Sequence, residues 1–378
     1  MGFEHYLRAG SKKLRCGYTT GTCAALAAAG AARALLLDAE AEPLRLLTPG
    51  GLTVEVLPER WERSDGAARC AVRKDAGDDP DATDGCLIEA EARRIERGIV
   101  IDGGAGVGIV TKPGLDQPIG AAAINSVPRR MIARAVEEVC AEAGYSGGLS
   151  VVISVPDGAE IAKHTFNPVL GVEGGISILG TSGIVEPMSE RALVDTLNLT
   201  IRQIAASGER RLLLTPGNYG ADYLARAHAT LSGVPMVKCS NFIGDALDAA
   251  TAEGFEEVLL VGHVGKLVKL AGGVMNTHSK WADCRAELFC AHAAISGADA
   301  SLCRALMECA TTDACIALLD GAGLRGAVLK SLLDAVDRHL TRRAAGAFII
   351  GAELFSNEFG FLGRTAAAEE LLQRWGET

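Results

Sequence analysis

The chain has 378 residues, with 37 Lys+Arg against 47 Asp+Glu and a formal net charge of -10 at pH 7. That length suits two domains rather than one, and the negative balance disfavours a general electrostatic grip on nucleic acid or on an anionic membrane surface. Hydrophobic residues make up 48%, yet no run approaches the roughly 18–20 uninterrupted apolar residues that cross a bilayer, so the apolar excess is expected in a core.

Residues 1–15 are polar and lack the apolar segment of a secretory signal, and Tyr6 stands where a myristoylation signal carries Ser or Thr. The expectation is a cytoplasmic protein with reduced cysteines. Tyr18-Thr19-Thr20-Gly21-Thr22 precedes an Ala- and Leu-rich run from Cys23 to Leu37, which predicts a helix capped by one of the threonines. Its free N–H groups offer either an ordinary cap or an anion site. Short strands follow at Leu52 to Leu57, Ala68 to Arg73 and Ile88 to Arg93. In the last of these, Ile88, Ala90 and Ala92 alternate with Glu89, Glu91 and Arg93 as in an antiparallel sheet. Lys74 to Gly85 carries five aspartates but lacks the ligand order of an EF-hand, and reads as a solvated, turn-rich acidic loop.

Gly103-Gly104-Ala105-Gly106-Val107-Gly108 imitates a dinucleotide fingerprint, but strand residues rather than a helix follow it, so a glycine-rich hairpin or bulge is expected. A helix is predicted from Pro128 to about Ala143, with Arg129, Arg130 and Arg134 near its start, where cations oppose the helix dipole. A break near Ser146 to Ser150 separates an α+β domain, residues 1–147, with an antiparallel or mixed sheet, from residues 148–378.

Beyond the break the rhythm changes. A helix over Ser189 to Ser207 leads into apolar runs at Leu212 to Leu214, Val234 to Val237 and Val258 to Val261, separated by helical stretches at Ala221 to Leu231 and Phe242 to Ala252. This βαβαβ pattern predicts a Rossmann-like parallel-sheet domain whose ligand lies beyond the carboxyl ends of the strands. Those ends read Thr215 to Gly220, Lys238 to Asn241 and Gly262 to Lys266, and the last lacks the spacing of a P-loop. Cys284, Cys290, Cys303, Cys309 and Cys315 lack the two- to four-residue spacing of zinc ligands, so no zinc site is expected among them. Glycine totals 45 while aromatics reach 4%, which predicts many close backbone approaches.

Several of these segments together resemble the CbiD family: Leu14 to Ala25, Lys74 to Pro80, Val110 to Leu115, Asn125 to Arg129, Val155 to Gly158, Lys163 to Pro168, Ile176 to Met188, Thr215 to Gly220 and Gly262 to Ser279. One departure is Cys16, where the motif often has a basic residue. The resemblance implies methyl transfer from S-adenosylmethionine to C1 of cobalt-precorrin-5B, a step of anaerobic cobalamin biosynthesis in which cobalt arrives with the corrinoid substrate. Such a displacement requires no nucleophilic side chain, because alignment of donor and acceptor supplies much of the acceleration. The donor is then expected against Thr215, Gly217, Asn218, Gly220, Ser240, Asn241, Gly262 and Gly265. Arg15, Thr19, Thr20, Thr22, Lys112, Arg129, Lys163 and His164 are expected to meet the carboxylates of the corrinoid, which is expected to lie between the second half and the Thr19–Thr22 helix start. His263 and Asp78 are the candidates for handling a proton. Two other classes compete. A nicotinamide oxidoreductase predicts an acid at the end of the second strand, where Lys238-Cys239-Ser240-Asn241 has none; a corrinoid carrier has no use for a second, donor-type pocket.

Overall fold

The computed structural model describes residues 3–9, 12–168 and 170–376. It divides into two compact units, residues 1–190 and 191–378. Among the described residues no helix is long and apolar enough to cross a membrane.

In unit 1 the order is α1 (Thr20–Leu36), β1 (Arg60–Ser64), β2 (Ala67–Arg73), β3 (Leu87–Ile95), β4 (Ile99–Gly103), α2 (Ser126–Glu142) and β5 (Gly148–Ser154). The sheet runs β1-β2-β3-β5-β4, antiparallel except for the parallel β5/β4 pair. On β3 the expected alternation holds, with Ile88, Ala90 and Ala92 fully buried. α1 is buried almost all round because it lies in a core built of small side chains. Gly30 makes this packing close: a Cβ there would lie 2.4 Å from the Sγ of Cys70 on β2.

The expected domain break at 147/148 is corrected by this sheet. β5 begins at Gly148 and hydrogen-bonds to β3 on one side and β4 on the other, so the segment is a central strand of unit 1. The Gly147-Gly148 pair that resembles a linker is a close approach, since a Cβ on Gly148 would lie 2.3 Å from the Arg97 backbone. Gly103 to Gly108 is likewise no hairpin. β4 pairs with β5, whereas Ile109–Val110 pairs with Val172–Glu173. The glycines between them form a crossing, where a Cβ on Gly106 would lie 1.8 Å from the carbonyl oxygen of Val155.

Unit 2 contains α3 (Glu190–Ala206, whose first residue lies in unit 1), β6 (Arg211–Thr215), α4 (Asn218–Ala227), β7 (Met236–Lys238), α5 (Ile243–Ala252), β8 (Glu257–His263), α6 (Arg285–Ile295), α7 (Ala300–Met307), α8 (Thr312–Gly321), α9 (Arg325–Ala344), β9 (Ile349–Ser356), β10 (Gly360–Arg364) and α10 (Ala366–Gly376). Strand order is β7-β6-β8-β9-β10, the first four parallel and β10 antiparallel. Both faces are covered. Leu212, Leu214, Val258 and Leu260 pack with α3, α5 and α9, whereas Leu213, Leu259 and Val261 pack with residues of α4 and α10.

One carboxylate interrupts the second face. Glu353 of β9 is fully buried, and its Oε1 accepts hydrogen bonds from the Tyr223 hydroxyl and bonds to His228 Nε2, each at 2.8 Å. Its Oε2 lies 3.0 Å from Arg364 Nε, an ion contact across the β9/β10 pair. Removing one partner of a buried pair costs more than the pair itself contributes, because the other charge stays buried alone. Glu353→Ala is therefore expected to destabilise unit 2 by about 3 kcal/mol, the low end of the range because Arg364 keeps 24% of its side-chain exposure. Urea unfolding followed by hydrogen exchange at the β9 amides measures it.

Candidate functional site

The parallel strands of unit 2 end on one edge, and the strand order reverses at β6, with β7 on one side and β8 on the other. In open parallel sheets ligands bind outside such an edge, at the reversal. Thr215, the last residue of β6, is fully buried and stands in register with Lys238 of β7. α4 starts directly above it. Gly220 allows this, for a Cβ there would lie 1.6 Å from Thr215 Oγ1. Gly217 adopts φ 143° and ψ -170°, a backbone region held almost solely by glycine, and the space where its side chain would stand is open. Either glycine replaced by valine therefore perturbs the fold itself, so neither substitution isolates ligand binding.

Three loops are tied together here by one side chain. Lys266, just beyond β8, donates to the Pro216 carbonyl after β6 at 2.7 Å and to the Ser240 carbonyl after β7 at 3.4 Å. Lys238 Nζ donates to Asn218 Oδ1 at 2.9 Å. Asn241 Oδ1 accepts from the Thr277 hydroxyl at 3.2 Å. Gly262 keeps β8 close to the first loop, since a Cβ there would lie 2.9 Å from Pro216 Cδ.

His263 ends β8 and caps the short helix that follows. Its Nδ1 accepts the Gly265 N–H at 3.1 Å, which in the neutral ring leaves the proton on Nε2. Phe355 and the imidazole meet in a T-shaped pair at a centroid distance of 5.7 Å, and Tyr219 lies at 6.4 Å. Burial pushes the imidazole below its ordinary pKa, opposed by the nearby Asp313 carboxylate, which itself accepts from Ser356 Oγ at 2.6 Å. Eight expected positions thus share this edge: Thr215, Gly217, Asn218, Gly220, Ser240, Gly262, His263 and Gly265. Sequence reasoning named the strand-end segments that hold Lys238 and Lys266 without singling out either lysine, and missed Asp313 and Ser356. The two lysines carried a signal, as cations at strand ends; the other two lie on α8 and β9, where the βαβ pattern was not followed.

In unit 1 the expected substrate residues are engaged with the protein itself. Thr19 Oγ1 accepts the Thr22 N–H, Thr20 Oγ1 lies 3.2 Å from the Ser177 carbonyl and accepts the Leu179 N–H at 2.9 Å, and Thr22 Oγ1 donates to the Gly183 carbonyl at 2.7 Å. The Gly21 N–H is taken by the Leu179 carbonyl. This helix start is a wired cap. Arg15 makes a two-pronged pair with Asp75, at 2.6 and 2.7 Å, and holds that carboxyl below its ordinary range. Arg129 donates to the carbonyls of Ile124 and Ile101, and Lys163 pairs with Glu160 at 2.7 Å. Lys112 packs its stem at Gly171, and His164 follows the short helix Gly158–Ala162.

The acidic loop is not simply solvated. Asp75 takes Arg15, Asp78 accepts the Arg15 N–H at 2.6 Å, Asp79 the Met188 N–H, Asp81 the buried Lys74 ammonium and Asp84 the Ala76 N–H. Each carboxylate thus accepts a backbone N–H or pairs with a cation, and Asp78, which is exposed, uses Oδ2 to accept the Arg15 N–H.

The depressed His263 pKa has a definite sign in stability. The unfolded chain takes up this proton first, so the contribution is complete above about pH 6.5 and is lost as pH falls towards the lower native pKa. Urea unfolding at pH 7.5 and pH 5.5 is expected to show a smaller acid loss for His263→Gln than for the parent protein.

Two family models match the sequence: CbiD over residues 7–187, and CbiD, C-terminal domain, over residues 276–366. A protein of Ruminiclostridium cellulolyticum is 47% identical over 341 residues, covering 90% of this chain and 88% of its own. One of Alkaliphilus metalliredigens is 44% identical over 371 residues, covering 98% and 97%. Both are named cobalt-precorrin-5B C(1)-methyltransferase. The crystal structure of a cobalamin biosynthesis protein (cbiD) from Archaeoglobus fulgidus is 33% identical with a TM-score of 0.39, covering 73% of this chain and 86% of that one. By the two family models and the two relatives, matched over nine-tenths of this chain or more, the chain belongs to the CbiD family.

Proposed function

We propose that this protein is a cobalt-precorrin-5B C(1)-methyltransferase of anaerobic cobalamin biosynthesis, using S-adenosylmethionine as donor and a cobalt-corrinoid as acceptor. The observation that carries the reading is the near full-length identity to relatives of that name. In this reading unit 2 is a Rossmann-like domain that takes the donor at its carboxyl edge, and unit 1 contributes to holding the corrinoid.

The residues at that edge suit such a donor. The open space over Gly217 admits a ligand to the backbone, and the Asn218 and Ser240 side chains supply polar partners. The donor brings an electrophilic methyl group on a sulfonium: the S–CH3 bond breaks as the C1–CH3 bond forms, and no protein nucleophile intervenes. The chain's task is then alignment, worth up to about 7–11 kcal/mol in well-oriented systems. His263 is the group assigned to a proton. Burial favours its neutral form; its Nε2–H is then the donor it offers a ligand, and it takes a proton only at Nδ1, which must first release the Gly265 N–H.

Anaerobic incubation with methyl-labelled S-adenosylmethionine and cobalt-precorrin-5B tests the reading. Label in the macrocycle, with one S-adenosylhomocysteine formed per methyl transferred, is the expected result; donor binding without transfer points to a carrier instead. In the same assay His263→Gln is expected to turn over about 100-fold more slowly, the low end for loss of an acid–base group. Full turnover by that variant removes His263 from the chemistry.

A further inference from the structure

We propose that Lys266 is the residue that takes the α-carboxylate of the methyl donor, an inference that rests on the donor placement above. Several observations converge on it. An ammonium has three N–H donors. Two carbonyls, Pro216 at 2.7 Å and Ser240 at a long 3.4 Å, leave one donor unassigned and another weakly used. Neither acceptor carries a charge. Among the described residues, the titratable groups that act on Lys266 are the Cys239 thiol and a second ammonium, Lys269. The chain has 47 Asp+Glu against 37 Lys+Arg, yet this half-buried lysine bonds to neutral carbonyls. The other lysine at this edge, Lys238, likewise bonds to an amide oxygen, that of Asn218.

The energetics favour an outside anion. Half-burial already disfavours the charged form of Lys266 and lowers its pKa. A carboxylate arriving beside it takes the unassigned donor and adds an opposite charge, which the neutral carbonyls do not supply. The position is apt as well. Lys266 reaches from the end of β8 across to the loops after β6 and β7, so it spans the strand reversal beside the open space over Gly217. An adenosyl donor presents a single carboxylate, on its amino-acid end, and that end is what separates it from other adenosine ligands.

The test compares two ligands that differ by that group alone. Calorimetry on the full chain measures S-adenosylmethionine and decarboxylated S-adenosylmethionine, which keeps the sulfonium and the amine. The parent protein is expected to prefer the carboxylate-bearing ligand by about 10- to 100-fold, the range of a hydrogen bond between charged groups. Lys266→Met is expected to lose that preference, binding both ligands about as the parent binds the decarboxylated one, while Lys266→Arg retains part of it. Equal weakening of both ligands in Lys266→Met gives Lys266 a purely structural role and overturns the proposal, as does a preference that survives the substitution. Absence of any preference in the parent protein overturns it without recourse to variants. A parent protein that binds neither ligand fails at the earlier step, the donor placement itself, and is told apart because no substitution is involved.

Discussion

Three stretches of backbone meet in unit 1 at a point with no room for a methyl group. Gly106 lies against Gly158 and Gly175, where a Cβ would stand 2.1 and 2.2 Å from the Gly106 carbonyl oxygen. The exits of β4 and β5 and the segment before Ile176 cross there and bond to one another: Val155 N–H to the Ala105 carbonyl, Ile176 N–H to that of Gly106, and Gly108 N–H to that of Ile176. Much of the unit depends on this crossing. It sends residues 177–183 toward α1, where their carbonyls receive the threonine hydroxyls and the Gly21 N–H. A glycine excess that composition can only count thus has a place and a task.

Unit 2 reaches a comparable end by different means. α4 is fixed at both of its ends. Its first turn sits on Thr215 through Gly220, while Tyr223 and His228, within and just after it, bond to the buried Glu353. Tyr223 also stacks on Phe355 at 4.2 Å, and Phe355 makes a T-shaped pair with His263. A buried carboxylate contributes little net stability against an apolar alternative, but it selects one arrangement among many. Here the arrangement selected is that of a helix whose first turn forms part of the candidate site.

Legibility in the sequence followed the physics of covering. Val258 to Val261 reads as a strand because a strand buried on both faces has no polar alternate, and the same holds for Leu212 to Leu214. β9 escaped because Glu353 breaks its apolar run, and a buried acid is recognised only through its partners. The acidic loop was misread for a related reason: Asp75 answers to Arg15, 60 residues earlier, and no local spacing records such a pair. The strand-end loops were found as loops, since Gly, Pro and Asn mark turns. Which lysine crosses them was not, because reach across strands depends on register and on the direction of a long side chain.

The cap of α1 also orders events in time. Its threonines bond to residues 157 and 161 positions later in the chain. During synthesis from the N-terminus, α1 emerges long before the carbonyls that complete its first turn, and contacts of such separation close slowly. The apolar helix must wait, with its hydroxyls bonded to water, until nearly the whole of unit 1 has left the ribosome. Unit 1 is then a body that closes late and from its far end, so a chain cut short before Ser177 leaves a hydrophobic helix with an open start.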